Sequence, residues 1–201
     1  MPSNSWSLAQ GVALRRLYPA PAAAAPTALS SPHAPELQRL MGEAATTRAA
    51  GKLPEAAAAL SAARALAPAH PQVAFAAGQV AAAQGEWVAA SEAYEAAAAA
   101  EPLGEAGTTL RGRALFALGV ALHTRARALQ AGLPEAVLLL SRAERALGDA
   151  AMAQPADARP RVALASLLRS VGRLDEARKQ AREAVERDGS EAVRAALRPL
   201  L

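Results

Sequence analysis

Three histidines are the only side chains in this 201-residue chain that titrate near neutrality, and there is no cysteine. His33, His70 and His123 stand far apart, and none has a carboxylate or second histidine at the spacing of a metal-ligand set. His123 shares a helical face with Arg127, four residues on, which suits a groove-facing or solvated imidazole better than a general base. Glu92 with Glu95, and Glu183 with Glu186, are spaced as neighbours on an exposed helix face rather than as an acid–base couple. Gly104-Glu105-Ala106-Gly107 lacks the glycine–lysine step of a phosphate loop, and no serine sits in a nucleophile elbow. No catalytic, cofactor-binding or metal-binding set is therefore expected, and thiol chemistry is excluded. The remaining chemistry is charge recognition. Twenty of the 22 basic residues are arginine, whose planar fork matches carboxylates. Through Gly104 there are 6 basic and 7 acidic residues, and beyond it 16 and 11. That asymmetry has two readings: a high-GC genome, or a surface tuned to an acidic partner.

Any element that positions these arginines must be a helix. Alanine, the best intrinsic helix former, supplies 59 residues, and no stretch alternates with the period of a strand. Gly51, Leu53, Ala56, Leu60, Ala63 and Pro68 return 34 residues later as Gly85, Trp87, Ala90, Tyr94, Ala97 and Pro102. A 34-residue period marks a stacked helix–turn–helix array, whose units bury their apolar faces only against one another. Glycine suits the turn inside each pair, alanine a close helix approach, and proline the end of the second helix. Trp87 and Tyr94 are expected to be packing residues.

These residues resemble the tetratricopeptide repeat family. Pro71–Gly104 carries Gly78, Gly85-Glu86-Trp87, Ala90, Tyr94, Ala97 and Pro102, and Leu37–His70 matches it in Leu40, Ala44, Gly51, Ala56, Leu60, Ala63 and Pro68. Ala158–Glu191 offers Leu164, Ala165, Leu168, Gly172-Arg173-Leu174, Ala177, Ala181 and Ala184. Between them Leu115, Leu118, Gly119 and Leu122 read as a first helix, and Leu133 to Ala136, Leu140 and Ala143 as a second. Trp87 to Leu133 spans 46 residues rather than 34, so this third pair needs longer helices or a longer connection. The expectation is an all-α, right-handed solenoid of four antiparallel hairpins, units 37–70, 71–104, 105–155 and 158–191, the third elongated. Turns should fall at Gly51, Gly85, Gly132 and Gly172, and residues 192–201 should close the array as a capping helix.

The resemblance implies function on a concave face lined by the first helix of each hairpin. Projecting its register places Met41, Ala45 and Arg48 there, then Phe75, Gln79 and Ala82. The third hairpin offers Arg113, Phe116, Val120 and His123, with Arg127 a turn further, and the fourth Arg159, Val162, Ser166 and Arg169. The ligand implied is an acidic–hydrophobic peptide or complex subunit, with Phe75 and Phe116 as apolar anchors and the arginines as its counter-charge. The lysine–asparagine clamp of some family members is absent, since Met41 and Phe75 stand at its lysine and Ala45 and Gln79 at its asparagine. The function expected is a non-catalytic interaction scaffold. The alternatives are an RNA-binding helical repeat, disfavoured by the few aromatics, and the detached N-terminal module of a larger enzyme system.

Residues 1–35 are a different material: six prolines, several serines and no acidic residue. They read as a disordered tail of a bacterial cytoplasmic protein, or as a transit segment for a mitochondrion or plastid, with a short amphipathic stretch from Ser5 to Tyr18. No 18-residue apolar run is free of charge and proline, so no membrane span is expected.

Overall fold

A computed structural model describes residues 33–102, 104–129 and 132–201. The tail and its transit-like segment fall outside the described residues, apart from the last three positions. Among the described residues the chain forms nine helices and no strand. They are α1 (Ala34–Ala49), α2 (Leu53–Leu66), α3 (Pro71–Gln84), α4 (Trp87–Ala99), α5 (Gly104–Ala128), α6 (Pro134–Ala153), α7 (Arg159–Ser170), α8 (Leu174–Arg187) and α9 (Glu191–Leu197). Each packs mainly on its neighbours in sequence, and the first helices α1, α3, α5 and α7 also touch in succession. This is the expected all-α solenoid of paired helices.

Three of the bends repeat one backbone design. Gly51, Gly85 and Gly172 take φ of +77, +82 and +81°, which a side chain would resist. Before each glycine the helix closes in a Schellman-type turn. The next residue's amide donates to a carbonyl five positions back: Lys52 to Thr47, Glu86 to Ala81 and Arg173 to Leu168, at 2.9–3.0 Å. That residue then sits near φ −82°, ψ 67°, and the following amide donates back to the glycine carbonyl at 3.0 Å. Proline opens α3 and α6 at the first turn, where its missing N–H costs no helical bond.

The third hairpin departs from this design as its spacing requires. Its helices run to 25 and 20 residues, against 14 and 13 in the second hairpin. Its bend also differs: Leu133, after Gly132 at φ +87°, is extended at ψ 139°. Glycines mark where the helices cross most closely. A Cβ on Gly78 would lie 2.6 Å from the Tyr94 ring, and one on Gly119 2.6 Å from Leu147. A Cβ on Gly112 would likewise meet Gln154 at 2.8 Å. Leu147, not Leu140, therefore fills the role in hairpin three that Tyr94 fills in hairpin two. The sequence register there was short by seven residues, two helical turns, because the added residues lie between the crossing point and the bend.

The core is shallow and built largely of alanine, and it is not continuous. The main cluster runs from Phe75 to Leu200 and includes Tyr94, Leu122, Leu147, Leu167 and Leu197. Two smaller clusters hold the first hairpin: Ala44, Ala56, Ala59 and Leu60 with Val80, and Leu37, Leu40 and Ala63 with Val73. Trp87 packs half-buried against the main cluster, and Tyr94 is 5% exposed. Buried Ser91 ties α4 to α5, its Oγ donating to the Val88 carbonyl and accepting from Arg125 at 3.0 Å. Helix α9 covers the end of the stack with Val193 and Leu197, capped by Ser190 Oγ accepting from the Val193 amide. It ends at Leu197, sooner than the sequence suggested, and the chain turns so that Leu200 is also buried.

Candidate functional site

The first helices bring four of the expected residues into one ladder. Phe75 on α3 stands beneath Arg113 on α5, whose guanidinium carbon lies 4.9 Å from the ring centroid. Three residues along α5, Phe116 stands beneath Arg159 of α7 at 5.9 Å. The order across three helices is ring, cation, ring, cation. Such contacts are worth roughly 0.5–2 kcal/mol each, more as water is excluded. Phe75 is only 8% exposed, tilted at 50° against Tyr94 with centroids 5.7 Å apart. With Arg113 over it, this ring holds a cation in place more than it offers surface of its own. Phe116 remains partly exposed.

The two cations differ in their electrostatics. Arg159 grips Asp157, with Nε and Nη2 donating to its carboxylate at 2.7–2.9 Å, while the Arg159 amide donates to Oδ1 at 2.9 Å. Asp157 escaped the sequence projection because it precedes the helix; its signal was an aspartate two residues before an arginine at a helix start. Arg113 forms no ion pair with a carboxylate of the described residues. Burial, and then the neighbouring charge of Arg159, lower its pKa, although a guanidinium stays protonated.

The other projected residues surround this ladder without joining it. Met41, half-buried, packs against both small clusters of the first hairpin, and Arg48 sits at the end of α1 with its charge felt by Tyr94. Gln79 is half-buried on α3, Val162 is buried, and Ala45 and Ser166 are exposed. Arg169 lies half-buried in the last turn of α7, while Arg127 is exposed near the end of α5. His123 lies 3.3 Å through Nε2 from Ser170 Oγ, linking α5 to α7. Burial, with the Arg127 charge, pushes its pKa down to about 4, so at neutral pH it adds a polar contact and no charge. Among the described residues no group of His, Asp and Glu is placed to hold a metal, and no helix is long and apolar enough to cross a membrane.

The depressed His123 pKa has a stability consequence. Between about pH 6.5 and 4 the unfolded chain binds a proton that the folded one does not, so stability should fall as pH drops through that window. The loss should approach roughly 3 kcal/mol near pH 4. Urea unfolding at pH 7 and 4.5 checks it: the drop in stability should shrink in His123→Gln. Equal drops in the two proteins would refute it.

No known protein-family profile and no curated protein matches the chain. Solved structures do. TTC0263, a thermophilic TPR protein of Thermus thermophilus, superposes with a TM-score of 0.60 at 20% identity, over 82% of this chain and 80% of its own. YrrB, a TPR protein described as having an unusual peptide-binding site, gives 0.58 at 17% identity over 85% and 84%. MamA of AMB-1 gives 0.57 at 18% identity over 82% of each chain. The fold is that of the tetratricopeptide repeat. The ladder lies on the first helices α3, α5 and α7. Some arginines at the bends and on the second helices meet carboxylates, Arg142 with Glu95 of α4, Arg173 with Glu144 and Glu176, and Arg178 with Asp175, whereas Arg64, Arg145 and Arg182 form no ion pair among the described residues.

Proposed function

We propose that this protein is a non-catalytic interaction scaffold whose concave groove holds an acidic–hydrophobic segment of a protein partner. The observation that carries this reading is Arg113, a half-buried cation on a first helix. Arg113 lies over the Phe75 ring and has no carboxylate partner among the described residues, whereas Arg159 beside it is already paired with Asp157. A partly buried cation held without a counter-ion is arranged for one that arrives from outside. Met41 and Arg48 would border the N-terminal end of the segment and Gln79 its middle, with Arg127, His123 and Arg169 on the C-terminal side. The solved neighbour described as having a peptide-binding site supports a peptide as the occupant of such a stack. RNA is the weaker ligand, because stacking would have to use Phe75, which is buried, and Phe116, over which Arg159 already lies.

The test is charge reversal. Affinity for a partner isolated by pull-down should fall about tenfold or more in Arg159→Glu/Arg169→Glu. Single changes at Arg159 or Arg169 should weaken binding more than changes at Arg178 or Arg182, which lie exposed on α8. Binding should also weaken with added salt, as exposed charges are screened. A partner whose affinity ignores the double reversal binds elsewhere.

A further inference from the structure

The charges at the C-terminal end of the ladder do not balance. Arg113 has no carboxylate partner among the described residues, and the Asp157 carboxylate is taken up by Arg159 at 2.7–2.9 Å. The guanidinium of Arg113 rests over Phe75, a contact that restricts the side chain before any ligand arrives and lowers the entropy lost on binding. On the Arg159 side, a cleft of about 490 Å³ opens between α7 and the terminal helix α9. Ala158, Val162, Val193 and Ala196 supply its apolar wall, Asp157, Arg187 and Asp188 its charged rim, and Arg159 belongs to both features, lining the cleft while it covers Phe116.

Building on the groove reading, we propose that the notch between Arg113 and Arg159 is a subsite for a single carboxylate. The cleft under α9 takes an adjoining apolar side chain. The groove thereby selects a partner segment in which an internal aspartate or glutamate stands next to a bulky apolar residue. One carboxylate answers the charge of Arg113, and a second would meet Asp157.

Short probe peptides test this on the full chain without a known partner. The blocked tetrapeptide AEAL should shift the Nε–Hε resonances of Arg113 and Arg159 saturably in ¹⁵N–¹H spectra. Its AQAL counterpart should bind roughly tenfold more weakly, and AEAS several-fold more weakly. Arg113→Gln should erase the preference for AEAL over AQAL, whereas Arg142→Gln on the outer face should leave it intact. Should Arg113→Gln unfold, Arg113→Lys keeps the charge but not the fork, and should still lose most of the preference. Equal binding of AEAL and AQAL overturns the subsite, as do shifts shared evenly among exposed arginines. Displacement of AEAL by equimolar inorganic phosphate would make it a general anion site instead. The groove reading fails separately: a captured partner indifferent to Arg113→Gln but lost on reversal of Arg159 and Arg169 leaves the groove and ends this subsite.

Discussion

Replacing Tyr94 by alanine is expected to destabilise the array by about 3–5 kcal/mol, the cost of a large-to-small change in a core that cannot collapse around it. Collapse is blocked by the residues that make room for the ring. Gly78 faces it with no side chain, and its neighbours in the second hairpin are alanines already in contact. The effect should reach the groove as well, because Phe75 leans on Tyr94 and Arg113 leans on Phe75. Tyr94→Phe is the control: no hydrogen bond from the hydroxyl holds the ring, so this variant should unfold near the parent. Urea midpoints decide the matter. A Tyr94→Ala protein with the parent's midpoint would show that the ring is not structural.

Leu147→Ala should cost about 2–5 kcal/mol, since Leu147 is fully buried at the crossing of α5 and α6. The more telling measurement is its coupling to Gly119. In the parent, Gly119→Ala would drive a Cβ to 2.6 Å from Leu147, an overpacking of the kind that costs roughly 1–3 kcal/mol, offset by about 1 kcal/mol of helix propensity. With Leu147 shortened its clash disappears while the Ala143 carbonyl still lies 3.2 Å from the new Cβ, so Gly119→Ala should cost clearly less in Leu147→Ala than in the parent. A double-mutant cycle with strictly additive terms would mean that the two helices do not cross there.

The crossing shows where sequence reading stops. Hairpins one, two and four were legible because glycine, alanine and proline each do one steric job at a fixed place in the bend or the contact. In hairpin three the same residue types are present, but their offsets change with helix length. Nothing in a one-dimensional pattern says on which side of the crossing the extra turns lie. The ladder itself was not legible. Phe75 and Arg113 are 38 residues apart, and Phe116 and Arg159 are 43, so no common offset announces the ladder. The quiet histidine was equally hidden, because His123 owes its low pKa to burial by neighbouring hairpins.

The interruption of the core after the first hairpin has a consequence for cooperativity. Repeat arrays melt as chains of nearest neighbours, and each seam is as strong as the surface that crosses it. Here α1 and α2 are joined to the rest through small clusters that reach α3 chiefly at Val73 and Val80, and much of that surface is alanine. The first hairpin is therefore the unit that opens at least cost, exchanging its amide protons while hairpins two to four stay shut. A partner lying along the groove would span that seam, turning two melting units into one.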